Sequence, residues 1–160
     1  PTGEGHDNAL KGIIVQFDLT FSNKAWVEAE RYHFLDFISS QSTMHKLNKF
    51  KIADQCNAYV DQRVIDVLQE LVDEYNGLLE RQKNGENVSI EAIKTARLKM
   101  LYNTPSGFEL TAGMTTNYQQ LKTIYQQRRH HALPDWQVFC DWIETLPRFL
   151  ELTQKEENNA

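Results

Sequence analysis

Asn117 and Arg128 stand eleven positions apart. That spacing makes three turns of an α-helix at about 3.6 residues per turn, so both lie on one face, about 16 Å apart. An asparagine so placed can grip the edge of a base or ring. An arginine can hold a phosphate through two parallel N–H donors. The plainer reading leaves Asn117 as a cap or turn residue and pairs Arg128 with a nearby acid such as Asp135. Around them, the stretch 97–129 carries Arg97, Lys99, Lys122, Arg128 and Arg129 against one acid, Glu109. A local basic pocket on a chain of net charge −5 suits a small anionic ligand better than a polymer. Thr115 or Thr116 stands where the helix would begin, and helix N-termini attract anions. A second run, Ser39-Ser40-Gln41-Ser42-Thr43-Met44-His45-Lys46, concentrates hydroxyls, an amide, an imidazole and an ammonium. It is either a solvated loop or a polar ligand shell.

The elements that must position these groups follow from periodicity. In 11–21, Ile13, Val15, Phe17, Leu19 and Phe21 alternate with Ile14, Gln16, Asp18 and Thr20, which predicts a strand with one apolar face. From Ala25 the spacing becomes three to four, through Trp26, Ala29, His33 and Phe37, which predicts a helix to about Ile38. The clearest helix is 61–81, with Val64, Ile65, Leu68, Leu71, Val72, Tyr75, Leu78 and Leu79 in one stripe. Ser89 caps a helix to about Leu101. Residues 103–113 hold Pro105, Ser106, Gly107 and Gly113 and read as loop or short extended structure. A helix follows from Asn117 to about His131. Pro134 opens the last one, whose buried face is Trp136, Phe139, Cys140, Ile143 and Leu146. The class is α+β: one helix-rich domain over 11–150 with a small antiparallel sheet. Residues 1–10 read as a flexible N-terminal segment and 151–160 as a polar tail. One strand cannot make a sheet, so others lie in 103–113 and elsewhere, or a second chain completes it.

Several functions are excluded or disfavoured. The acidic balance does not suit duplex nucleic acid. No apolar run approaches the ~20 residues that span a bilayer. Cys56 and Cys140 read as buried free thiols of a reducing compartment, and the cytoplasm is the expected location. His130 and His131 are adjacent and face different sides of a helix, so no metal site is expected. The acid-rich helix 61–80 leaves open a third role, docking a partner protein.

The C-terminal half resembles the flavin-dependent thymidylate synthases. Ala96-Arg97-Leu98 with Pro105, then Thr116-Asn117-Tyr118-Gln119-Gln120-Leu121, Arg128 and Asp135-Trp136 follow that family's pattern over about 97–145. The resemblance implies an α+β fold, a homotetramer with shared sites, a uridylate such as dUMP as ligand, and FAD as cofactor. It implies that Arg97 and Arg128 contact the nucleotide and that Asn117 lies at the flavin or nucleotide. Upstream, Arg31-Tyr32-His33 imitates the family's Arg-His-Arg triplet, but Asp36 stands where a serine follows. A register shifted by three instead matches Ser39, Gln41 and Lys46. On this basis Ser39, Gln41 and Lys46 join the nucleotide set, while Arg31, His33 and His45 form the cofactor set. The function implied is modification (methylation) at C5 of a uridylate. The alternative is a small phage-borne relative that binds or sequesters a nucleotide without flavin chemistry.

Overall fold

The computed structural model describes residues 7–42 and 46–153. His45 of the cofactor set lies outside the described residues. The architecture is α+β, with helices and one three-stranded antiparallel sheet. The chain divides into two compact units. One comprises Pro1–Phe21, Ala25–Ser39 and Ala112–Ala160, and the other Ser22–Lys24 and Ser40–Thr111.

In the first unit, a 3-10 turn at Asp7–Gly12 leads into β1 (Ile14–Ser22). The expected alternation holds: Val15, Phe17, Leu19 and Phe21 turn inward, while Ile14, Gln16, Asp18 and Thr20 are exposed. Helix α1 (Asn23–Ala29) follows, and here the expected helix to Ile38 is overturned. It stops at Ala29, the chain turns, and Asp36–Ser40 becomes strand β2. Arg31-Tyr32-His33-Phe34 brings three ring side chains that lose rotamer freedom in a helix. Turn bonds from Tyr32 N–H to Ala29 and from Leu35 N–H to Tyr32 close the segment instead. Strand β3 (Glu109–Asn117) runs between the other two, giving the order β1-β3-β2. It begins inside the segment read as loop or short extended structure, where a further strand was expected as one option, and it takes up Thr115 and Thr116, so neither caps the next helix. The Thr116 hydroxyl instead donates to the Phe34 carbonyl.

Helices α2 (Ile52–Gln55), α3 (Gln62–Lys83) and α4 (Ile90–Tyr102) belong to the other unit, while α5 (Tyr118–Arg128), α6 (Pro134–Glu144) and a short α7 (Phe149–Thr153) complete this one. Pro134 sits in the first turn of α6, where its missing N–H costs nothing. Trp136, Phe139, Cys140 and Ile143 are buried as the stripe foretold. Phe21 meets the edges of Trp136 at 4.8 Å and Phe139 at 5.7 Å between centroids. This aromatic core fixes the start of α6 against β1.

The second unit is built on α3 (Gln62–Lys83) and α4 (Ile90–Tyr102), with a short α2 (Ile52–Gln55). Asp61 caps α3 by accepting from the Arg63 N–H. Gly85 turns the chain after α3 at φ 84°, a conformation that costs glycine little. Leu47, Ile52, Leu68, Val72, Met100 and Phe108 form its core.

Candidate functional site

Arg128, the last residue of α5, is the centre of a closed polar cluster. Its Nη1 donates to Oε2 of Glu28 at 2.9 Å, and its Nε to the Tyr32 hydroxyl at 2.8 Å. The indole N–H of Trp136 donates to the same Glu28 oxygen at 3.0 Å, and Nε2 of His131 stands 3.4 Å from it. The guanidinium also lies over Trp136, 4.8 Å from the ring centroid, and 5.6 Å from that of Tyr32. Arg128 and Glu28 are only 16% and 18% exposed at the side chain, so water screens the pair weakly. The sequence reading offered Asp135 as its partner; the partner is Glu28.

The other end of α5 forms a cleft of about 480 Å³. It is lined by Asn117, Gln119, Gln120, Thr123 and Gln126 of the β3–α5 segment, with Lys122, Lys11, Asp7 and Phe34. Asn117 is the N-cap of α5, and its side-chain oxygen accepts from the Gln120 N–H at 2.9 Å. The residue also forms part of the cleft lining. Lys122 pairs with Asp7 at 2.6 Å, and both are largely covered. That hydrogen bond holds the Asp7 carboxyl below its ordinary range. Phe34, which is 61% exposed, offers a ring face. Carboxamides, ammonium groups and one aromatic face make a donor set for an anionic ligand that carries a polar ring.

The remaining candidates are dispersed. Arg31 and His33 are exposed in the turn after α1, whereas Tyr32 between them belongs to the Arg128 cluster. Ser39 is exposed on β2, over the position of Gly113. Gln41, Lys46 and Arg97 belong to the second unit. Gln41 is bound to Thr111 through both its main chain and its side chain, at 3.1 Å each. Lys46 is exposed, and Arg97 is half-buried on α4. Sequence reasoning missed Glu28 and Tyr32. They stand four apart, the spacing of one helix face, but the carboxylate read as part of a solvated side. It also missed Lys11, Phe34 and Gln126, which no motif marks.

Among the described residues no group of three or more histidines, cysteines or acids could hold a metal ion. None of the described helices is long and apolar enough to cross a membrane.

No family model matches the sequence, and no curated protein resembles it in sequence. Solved structures do match in fold. A crystal structure of thymidylate synthase ThyX from Helicobacter pylori with FAD and dUMP aligns with a TM-score of 0.64 at 15% identity. That alignment covers 91% of this chain and 73% of the other. The chain shares the ThyX fold. A second structure of the flavin-dependent Helicobacter pylori ThyX, complexed with FAD and dUMP, gives 0.64 at 16% identity, over 93% of this chain and 77% of that one. At such identity the likeness is one of fold.

Proposed function

We propose that the chain is a nucleotide-binding protein of ThyX-like fold whose ligand enters the cleft at the N-terminal end of α5. One observation carries the reading: Asn117, with its oxygen engaged in the cap, lines a cleft that also holds two lysines, three glutamines and an exposed phenylalanine. Phe34 stacks on a ring, the carboxamides read its edge, and Lys11 or Lys122 meets the phosphate. A uridylate such as dUMP is the nucleotide of choice, since the fold neighbours were crystallised with it.

FAD, with which the fold neighbours were crystallised, would lie beside the uridylate rather than on the groups that hold it. Bound flavin supplies hydride chemistry toward C5 of the uridylate, and the protein contributes position and charge. In a homotetramer, Arg31 and His33 would join the cofactor. Ser39, Gln41, Lys46 and Arg97 would reach the nucleotide from neighbouring chains.

A second reading, a nucleotide binder without turnover, is favoured by the capture of Arg128. Glu28 and Tyr32 already occupy two of its nitrogens. Calorimetric titration with dUMP and FAD, an absorption spectrum from 300 to 550 nm after FAD loading and desalting, and an assay with flavin and reductant separate the readings. Retained flavin bands with turnover support the enzyme. Tight dUMP binding on a colourless, inert protein supports the binder, and no binding of either ligand overturns both.

A further inference from the structure

We propose that Asp7 is an internal competitor for the cleft at the start of α5. Its carboxylate holds an anion seat on Lys122 and Gln119, and a phosphate-bearing ligand enters by displacing it; this rests on the nucleotide-binding reading above. The seat follows from helix spacing. Gln119, Lys122, Thr123 and Gln126 stand at i, i+3, i+4 and i+7 of α5, so they share one face, and that face lines the cleft. Oδ2 of Asp7 accepts from Lys122 Nζ at 2.6 Å, and its Oδ1 accepts from Gln119 Nε2 at 3.5 Å. One carboxylate thus takes up an ammonium and a carboxamide that the cleft would otherwise offer to an anion. The Lys122 and Asp7 side chains are 12% and 17% exposed, so water screens the pair weakly.

The carboxylate can leave while the cleft stays in place. Asp7 is the first residue of the 3-10 turn Asp7–Gly12, three positions before its buried anchor, Leu10. Beyond the turn, the Tyr118 N–H donates to the Ile13 carbonyl at 3.1 Å and ties the chain to the start of α5. Displacement exchanges one anion for another: Lys122 keeps a partner, and the Asp7 carboxylate returns to water. A phosphomonoester carries about −1.5 to −2 charges at neutral pH against one on a carboxylate, so it gains more from the ammonium. A neutral ligand cannot make the exchange. The closed pair lowers the apparent affinity for an anion in proportion to the fraction of molecules whose seat is open.

The test uses the full chain and the variants Asp7→Asn, Asp7→Ser and Lys122→Met at neutral pH. Affinities for dUMP, deoxyuridine and inorganic phosphate are measured by calorimetry. On the same samples the Lys122 Nζ resonance is read by NMR through its neighbouring methylene protons, with Lys122→Met identifying the signal. In the native protein that resonance is expected to shift on addition of dUMP or phosphate and to stay in place with deoxyuridine. Asp7→Asn keeps the shape of the side chain and withdraws its charge. It is expected to bind dUMP and phosphate about tenfold more tightly, as a seat raised from one-tenth open to fully open would, and deoxyuridine no more tightly. Lys122→Met is expected to bind dUMP no better than deoxyuridine.

Unchanged or weaker dUMP affinity in Asp7→Asn overturns the competitor role. So does a tightening that deoxyuridine shares, which makes Asp7 a steric plug, and so does native dUMP affinity in Lys122→Met, which places the anion elsewhere. If Asp7→Asn fails to fold, the same comparisons are made with Asp7→Ser. If no protein binds dUMP or deoxyuridine while Asp7→Asn binds phosphate more tightly than the native chain, the nucleotide reading falls and the seat stands. If dUMP binds every variant alike, the seat falls and the nucleotide reading stands; if none of the three probes binds any of the proteins, both fall.

Discussion

The Tyr32 hydroxyl accepts from Nε of Arg128 at 2.8 Å and donates to Oε1 of Gln127 at 2.9 Å. Two adjacent residues of α5 are therefore bound to one phenol in the turn after α1. Tyr32→Phe keeps the ring beneath the guanidinium and deletes both bonds. The exposed Gln127 regains water at little cost, whereas the covered Arg128 loses a charge-assisted bond. The expected loss is about 1–2 kcal/mol of folding stability, read as a lower urea midpoint with an unchanged m-value. An unchanged midpoint would mean that water replaces the phenol without cost and that the cluster is looser than its geometry.

Asn117 has two roles that two substitutions separate. Its oxygen caps α5 through the Gln120 N–H, and the same side chain faces the cleft. Asn117→Ala removes the cap and costs about 1 kcal/mol. Asn117→Asp keeps the acceptor and adds a negative charge that the helix N-terminus favours, so stability is retained. It also removes the NH2 donor and places a charge of the wrong sign in the cleft. The expected outcome is native thermal stability with dUMP or FAD binding weakened tenfold or more. Native affinity in the Asp variant would leave Asn117 a cap alone.

The sequence was legible where one period ran unopposed. The alternation of β1, the stripe of α3 and the Pro134 start of α6 all reappear, because burial on one face decides those elements. It failed between Ala29 and Ser40. There Trp26, Ala29, His33 and Phe37 satisfy a helical spacing by coincidence, and pairing with β3 decides the outcome. Long-range pairing leaves no local signature. The Thr115 and Thr116 caps failed for the same reason, since β3 extends to Asn117. At the site, Asn117 and Arg128 were visible as an odd polar pair on one helix. Glu28 was not, because an acid on α1 becomes a partner of Arg128 only once the turn and β2 bring the segments together.

Gly113 lies in β3 where a Cβ would stand 2.8 Å from Oγ of Ser39 and 3.7 Å from Oδ1 of Asp18. A contact under 3.0 Å forces something to move, and here the atom is the tip of a short side chain on the neighbouring strand. Gly113→Ala is expected to lower stability by about 1–2 kcal/mol through this overpacking. Ser39→Ala in the same chain removes the clashing oxygen and should recover most of that loss. A double variant no more stable than the single one would place the strain in the backbone of β3. Thermal melts of the two single variants and the double variant complete the cycle.

The Asp7–Lys122 ion pair makes a claim about pH. The hydrogen bond from Lys122 holds the Asp7 carboxyl below its ordinary 3.8, against the smaller opposing effect of burial. A carboxylate whose folded pKa is depressed contributes stability that is present above its unfolded pKa. That contribution fades as pH falls through the folded value. Asp7→Asn should therefore reduce stability at neutral pH and flatten the acid limb below the ordinary carboxylate range, so that the two proteins converge once pH has fallen through the depressed pKa of the folded Asp7. Parallel acid limbs in urea titrations at several pH values would show that the pair does not persist in solution. The same variant frees Lys122 into the cleft, and tighter binding of an anionic ligand is expected with it.

Cys140 is fully buried on α6, and burial pushes its thiol up from 9.0 to about 11. Nearby Arg129 pulls the other way but does not compensate. Cys56 is half-buried, and burial together with the charge of Glu109 raises its thiol as well. Because the thiolate is the reacting species, both thiols are slow at pH 8, and Cys140 needs exposure as well as deprotonation. A disulfide reagent is expected to modify Cys56 first in the native protein. Cys140 should follow only as fast as α6 leaves the core, with a rate that rises steeply across the urea transition. Mass spectrometry of the partly labelled protein distinguishes the sites. If Cys140 is labelled at the rate of Cys56 without denaturant, α6 opens locally, and the Trp136 anchor under Arg128 opens with it, since both sit on the same turns of that helix.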